Sequence, residues 1–306
     1  AAARAAGRAA GRAVDFEEVL RAPGDTVDKL FDLANKPTLC FNIGGGRIDI
    51  VQDRSATEHS GGVVWETAYF LARYFERHIL PARGVAAAAD AEDAAPLRVA
   101  ELGAGCGLLG LALARLGCKV VLTEQPAALD NLRANVRAQG RPAGPPPKVR
   151  QLSWGDVADV AAVRAGRPFD LVVGSDVVFA SRLVVPLLET IAALLADEGG
   201  GAGAGRAPEC WLCLQQRDPD AHAELLRQAP RLFRVTEATF ADLAGFEAAA
   251  ELDCVLLRLR LRKRPRQQGG DGLGGDLQAD EGAGVFDSAL ASAGGSGGSG
   301  GSRGGG

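Results

Sequence analysis

The stretch Glu101–Gly110, ELGAGCGLLG, places four glycines in ten residues between two apolar runs. The run before it, Leu97–Leu102, is short and apolar enough for a buried strand. The run after it, Gly107–Leu116, has the length of a helix, with Gly117 placed to stop it. Working outward, the pattern repeats. Lys119–Thr123 (KVVLT) is a β-branched run, and Ala127–Gln139 carries Leu129, Leu132 and Val136 on one helical face. Val149–Leu152, Phe169–Gly174 and Cys210–Gln215 read as further strands, separated or followed by helical stretches near 157–165, 182–196 and 219–228. Strands alternating with helices of this length predict a doubly wound, mostly parallel α/β sheet covered on both faces.

The end of the chain reads differently. Leu232–Glu237 and Glu251–Leu261 follow one another with no clear helical period between them. In the second, Val255, Leu257, Leu259 and Leu261 alternate with Leu256, Arg258, Arg260 and Arg262. That alternation predicts a sheet edge with one buried and one wet face, closed by an antiparallel hairpin.

Residues 1–14 hold three arginines and no acid before Asp15, so they read as a disordered or a targeting segment. Residues 15–263 form the predicted domain with its N-terminal extension. Residues 264–306 are Gly/Ser-rich and too poor in large apolar groups to offset their ordering entropy, so a disordered tail is expected there. The same Ala/Gly/Pro bias marks 85–96, 141–147 and 198–208. The chain contains no methionine, and its first residue need not be the start of the gene product.

A net charge of −4 gives no global pull toward nucleic acid or an anionic membrane, and neither is expected as a partner. No apolar run approaches the roughly 20 residues of a membrane span. The six cysteines are scattered, which suits a reducing compartment and a cytoplasmic location. A chloroplast or mitochondrion is the alternative if the arginine-bearing start is a transit peptide. Cys210 and Cys213 have CxxC spacing, but one such pair inside an apolar run reads as core. The three histidines lie far apart, and no metal site is expected. A monomer is expected.

Open α/β sheets bind ligands beyond the carboxyl ends of their strands, where strand order reverses. The turn at Gly103 is the first such end. Glu124, 21 positions later, closes the next strand, where a carboxylate can take both hydroxyls of a ribose. Gly105-x-Gly107-x-x-Gly110 spells a dinucleotide fingerprint, but it begins two residues after the register that the end of the strand at Leu102 sets. The in-register pattern is Glu-x-Gly-x-Gly-x-Gly from Glu101. A carboxylate there would repel a pyrophosphate and suit a ligand bearing a cationic ammonium or sulfonium. That favours S-adenosyl-L-methionine over NAD. Trp154, in QLSWGD, follows the third strand at the same edge, where an indole can flank an adenine with Asp156 close by. Trp65 precedes a helix whose Ala68, Ala72, Phe75 and Ile79 form a buried stripe. Core packing is the alternative for either tryptophan.

Taken together, RIDIVQ (47–52), SGGVVWETAYFLARYFE, VAELGAGCGLLGLALARLG, VVLTEQPAALDNLRANV, LSWGD and DLVVGSDVVF resemble the family 16 protein-lysine methyltransferases, methyltransferase-like 21 type. The similarity runs from about Thr38 to Leu261. It implies a seven-stranded, Rossmann-like methyltransferase sheet with an antiparallel last strand. It implies a cofactor site of Trp65, Gly103, Ala104, Gly105, Glu124, Trp154 and Ser175, the last from the resemblance alone. It also implies a protein substrate, such as a chaperone, an ATPase or a translation factor, methylated on lysine. The family's Asp-x-x-Tyr after the fourth strand is Asp176-Val-Val-Phe179 here, which makes Asp176 the candidate catalytic residue. Phe179 keeps the ring and loses the hydroxyl, leaving methylation degree and substrate open. A helix cap is the plainer role for Asp176. A small-molecule methyltransferase, a non-catalytic scaffold and an NAD-dependent oxidoreductase are the competing readings.

Overall fold

The computed structural model describes residues 13–53, 60–83, 96–139, 146–165, 167–196, 207–240 and 243–262. The start up to residue 12, the biased loops at 85–95, 141–145 and 198–206, and the tail from residue 264 lie outside the described residues.

Two sheets form. In the smaller, β1 (Val14–Asp15) runs parallel to β2 (Thr38–Ile43), which pairs antiparallel with β3 (Gly46–Val51). The tight turn between β2 and β3 needs left-handed backbone at both central residues, and Gly44 and Gly45 supply it at φ +60° and +67°. The helices α1 (Phe16–Arg21) and α2 (Thr26–Ala34) make the crossover from β1 to β2. Each starts at an aspartate, Asp15 and Asp25, whose carboxylate accepts two first-turn amides.

The larger sheet contains β4 (Arg98–Leu102), β5 (Lys119–Glu124), β6 (Lys148–Gln151), β7 (Leu171–Ser175), β8 (Glu209–Leu214), β9 (Phe233–Thr239) and β10 (Val255–Leu261). Their spatial order is β6-β5-β4-β7-β8-β10-β9. β10 is antiparallel to both β8 and β9. The connecting helices are α3 (Glu66–Tyr74), α4 (Leu108–Arg115), α5 (Leu129–Ala138), α6 (Val157–Arg164), α7 (Ser181–Leu195), α8 (Pro219–Leu232) and α9 (Glu247–Glu251). Alternate strand residues feed two cores. Val99, Leu122, Leu171 and Val173 join the core under α3 and α4, and Ala100, Leu102, Val172 and Leu212 join the one under α7 and α8. From β4 the chain winds outward through β5 and β6, then returns to the other side of β4 to lay down β7 and β8. The reversal falls between β4 and β7, so the loop after Leu102 and the residues after Ser175 meet at the switch point.

Three local expectations need correction. The strand expected from Glu251 starts at Val255, because Glu251 ends α9 and Asp253 takes a left-handed φ of +50°. β10 lies inside the sheet and β9 is the edge. The arginine side of β10 is also not simply wet. Arg258 and Arg260 bond the Glu209 carboxylate, which is buried and also holds Arg83 and the Trp211 indole N–H. Cys210 and Cys213 join opposite cores, as three-residue spacing in a strand requires, so they do not face one ligand.

A buried asparagine ties the two sheets together. Val51 donates its amide to Asn135 Oδ1 at 2.9 Å, and Asn135 Nδ2 donates to the carbonyls of Val51 and Cys106, each at 3.0 Å. Asn135 thereby completes the outer edge of β3 as a neighbouring strand would, and holds the glycine-rich loop at Cys106. Replacing it with leucine keeps the volume but strands these groups, and a buried orphan costs about 1–3 kcal/mol. Urea denaturation of Asn135→Leu is expected to show a loss of about 2–4 kcal/mol; a loss below about 0.5 kcal/mol would show that water replaces the amide.

Candidate functional site

Every predicted site residue in the larger sheet lies at its carboxyl edge. After β4, Gly103, Gly105 and Gly107 take left-handed φ values of +58°, +52° and +91°. This alternation turns the chain twice in five residues before α4 begins, and no side chain could hold it without strain. Ala104 N–H anchors the loop on Thr123 O at 2.9 Å. The walls are close. A Cβ on Gly103 would stand 3.1 Å from Val177 Cγ1 and 3.5 Å from Trp154 Cζ2, and one on Gly105 would stand 3.5 Å from Gly61 O. The bare backbone therefore lines a narrow cradle between Trp154 and the Gly61 segment.

Glu124, the last residue of β5, faces that cradle. Its Oε2 accepts the Gly105 amide at 2.9 Å and its Oε1 accepts the Gln125 amide at 2.8 Å. Each oxygen keeps a lone pair for a further donor, which is what a pair of ribose hydroxyls needs. The Trp154 and Phe179 rings lie near each other, centroids 6.2 Å apart and planes tilted by 50°. Phe179 is half exposed. Asp156, expected beside the ligand, instead caps α6 by accepting the Asp159 amide at 2.9 Å.

Glu101 also departs from its expected role. Its place before the loop predicts a role facing a cationic ligand, but it is only 1% exposed and points beneath α4. The cause is strand alternation. Leu102 and Ala100 turn to one core, so Glu101 shares the opposite face with Val99. There its carboxyl lies against the Gly110 amide, Oε2 has no hydrogen-bond partner, and burial pushes its pKa well above the carboxylate range. Gly110 makes room for it: a Cβ at that position would come within 2.4 Å of Glu101 Oε2.

The negative charge at the site comes from elsewhere. Ser175 ends β7, and Asp176 follows it with a left-handed φ of +51°. Asp176 does not cap the next helix, whose N-cap is Ala180. Its Oδ1 accepts the Gln215 amide at 3.1 Å, while Oδ2 accepts Arg217 Nε at 3.0 Å and Nη2 at 2.8 Å. The same Nη2 donates to Glu66 Oε1 at 2.6 Å, and the guanidinium carbon lies 4.4 Å from the centre of the Trp65 ring. Trp65 N-caps α3, and its indole N–H donates to Ser60 O at 3.1 Å. The cluster thus joins Trp65 and Asp176 through Arg217. Two carboxylates against one guanidinium leave one negative charge at the edge of the cradle. Burial raises the Glu66 pKa, with Arg217 opposing the shift. Burial works against the Arg217 charge, yet Asp176 and Glu66 more than offset it and its pKa rises.

Arg217 and Glu66 are the functional-site residues that sequence reasoning missed. Their signals were slight: an arginine just past the carboxyl end of a parallel strand, and an acid directly after a singled-out tryptophan. Gln52 was missed as well. Its side chain bonds Leu33 O, Lys36 O and the Val64 amide, fixing the approach to Trp65. Among the described residues no group of three or more His, Cys, Asp or Glu side chains is placed to hold a metal.

A seven-stranded sheet with this strand order, a glycine cradle at its switch point and an acid closing the neighbouring strand defines a nucleoside-binding methyltransferase fold. The chain belongs to the lysine methyltransferase family, whose model matches residues 45–218, more than half of it. It is 32% identical over 164 residues to protein N-lysine methyltransferase METTL21A of Mus musculus, covering 53% of this chain and 68% of that protein. It is 32% identical over 147 residues to EEF1A lysine methyltransferase 3 of Xenopus tropicalis, covering 48% of this chain and 58% of that protein. Among solved structures it is similar to the T. thermophilus 16S rRNA N2 G1207 methyltransferase, at 19% identity and a TM-score of 0.47, over 74% of this chain and 50% of that one. The cofactor of this family's chemistry is S-adenosyl-L-methionine, and the expectation of a methyltransferase over an oxidoreductase holds.

Proposed function

We propose that this chain methylates a lysine side chain of another protein at the edge formed by the glycine loop, Glu124 and Asp176. The observation that carries the reading is the meeting, at one switch point, of a backbone cradle tied to Glu124 and a buried carboxylate cluster of net charge −1. The cradle fits the cofactor: Glu124 would hold its ribose, Gly103, Ala104 and Gly105 its backbone-facing side, and Trp154 its adenine. Trp65 and Ser175 would complete the contact. S-adenosyl-L-methionine, when bound, supplies an electrophilic methyl group on a sulfonium.

The protein's own residues do the rest by placement. Asp176 accepts a hydrogen bond from the acceptor nitrogen, aims its lone pair, and stabilises the positive charge that grows on nitrogen as the bond forms. The lysine must reach the site neutral. Phe179, Trp154 and the buried Val177 and Val178 form an apolar wall that disfavours the ammonium and favours release of its proton to water. The name of the Xenopus relative points to a translation factor, and we take a protein of that class as the first candidate substrate. A monomeric, cytoplasmic enzyme is the accompanying reading.

Methyl transfer from labelled S-adenosyl-L-methionine into a cell lysate tests the reading, with Glu124→Ala as its control. Label is expected on a protein band with the native chain. With Glu124→Ala, calorimetry should show affinity for S-adenosylhomocysteine reduced at least about tenfold, with the melting temperature little changed. Label confined to small molecules would replace the protein acceptor, and no label at all would leave a scaffold.

A further inference from the structure

We infer that Arg217 is the positioning residue of the transfer, holding the Asp176 carboxylate toward the acceptor and the Trp65 indole toward the cofactor through one guanidinium, with Glu66 as its second anchor. This rests on the methyl-transfer reading above and adds a residue to it.

The geometry leaves Arg217 little other role. It is 33% exposed while its partners are 5% and 7% exposed, so it closes a buried pair rather than decorating a surface. Its fork reaches Asp176 with two N–H groups and Glu66 with one, a bridging pattern that a lysine's point charge cannot copy. Its planar face is offered to Trp65 at 4.4 Å. Backbone constraints fix it from below. Arg217 N–H donates to Gln215 O at 2.8 Å, and Gln215 N–H donates to Asp176 Oδ1, so the turn after β8 and the turn after β7 lock each other. Asp176 sits in left-handed backbone and cannot relax toward a helical position without breaking these bonds.

The charges facing the cluster are few. Cys213 on β8 and Cys254 before β10 lie beside Glu66 and Asp176, and burial pushes both thiols up, Cys254 to about 12, so neither supplies charge. Without the guanidinium, Glu66 and Asp176 face each other as like charges in a buried site. Such a pair holds a proton to higher pH. That proton belongs to the pair, and it removes carboxylate charge that the amine would otherwise meet.

The test is the pH profile of kcat for Arg217→Gln, Arg217→Lys and the double variant Arg217→Gln with Glu66→Gln. Dissociation constants for S-adenosylhomocysteine are measured on the same proteins. Arg217→Gln is expected to lose at least tenfold in kcat at pH 7 and to recover as pH rises, its acid limb shifted upward by about one unit or more. Arg217→Lys should fall between it and the native chain. The double variant removes the like charge and should lose the upward shift, which also keeps the test open if the single variant folds poorly. S-adenosylhomocysteine affinity should weaken several-fold in both glutamine variants, as Trp65 loses its stacked cation. An Arg217→Gln profile parallel to the native one, with activity lowered equally at all pH values or not at all, would overturn the inference. An inactive native chain that fails to bind S-adenosylhomocysteine would instead overturn the methyl-transfer reading beneath it.

Discussion

Asp176→Asn is expected to lower methyl-transfer kcat by about 100- to 1000-fold while leaving the fold intact, a loss of roughly 3–4 kcal/mol in the transition state. Asparagine is the informative replacement here. It tolerates the left-handed backbone at φ +51°, and its Oδ1 can still accept the Gln215 amide. What it loses is charge. The growing positive charge on the acceptor nitrogen then meets an amide dipole instead of a carboxylate, inside a site where the dielectric is low. Arg217 keeps Glu66 as a partner, so the variant does not leave an isolated buried cation. The melting temperature should therefore move by only a few degrees, and S-adenosylhomocysteine should bind within a few-fold of the native affinity. The measurement is initial-rate label transfer at saturating cofactor, paired with a thermal melt. Activity retained within about fivefold would show that Asp176 serves the loop alone, through its bonds to Gln215 and Arg217.

The difference between what was readable in the sequence and what was not follows the range of the interactions. The parallel sheet was legible because each strand carries its own apolar run and each helix its own period, both local properties. Strand ends were placed to within about two residues at β4, β5, β7 and β8. The cofactor edge followed from topology alone, since Glu124 and Ser175 end strands and Gly103, Trp154 and Asp176 lie within three residues past a strand's end. Side-chain direction was less secure. Glu101 adjoins the loop in sequence, yet alternation along β4 turns it beneath α4 and away from the ligand edge. Arg217 and Glu66 are 151 residues apart and meet only in three dimensions, so no local pattern announces them. The small sheet was missed although Gly44-Gly45 is a tight-turn signal between β-branched and apolar runs; the family resemblance covered RIDIVQ without prompting a strand there.

Gly110→Ala bears directly on the stretch that decided the fold, and elementary considerations disagree about its sign. Within a helix, alanine is favoured over glycine by about 1 kcal/mol, and Gly110 lies in the first turn of α4. On propensity alone the substitution stabilises. Packing argues the opposite. The added Cβ would lie 2.1 Å from Leu122 Cδ2, 3.1 Å from Leu122 Cγ and 2.4 Å from Glu101 Oε2. Leu122 is fully buried and Glu101 is nearly so, hence neither has open space to enter. Overpacking a core costs about 1–3 kcal/mol, and moving the Glu101 carboxyl off the Gly110 amide adds the cost of a buried polar group without a partner, about 1–3 kcal/mol more. The sum exceeds the propensity gain, so a net loss of about 1–5 kcal/mol is expected. For a domain of this size, 1 kcal/mol corresponds to roughly 2–4 °C, so the melting temperature should fall by about 2–20 °C. A rise in melting temperature would mean that α4 can lift off β5 cheaply. Glycine at 110 would then serve the helix start rather than the close approach of helix, strand and buried carboxyl.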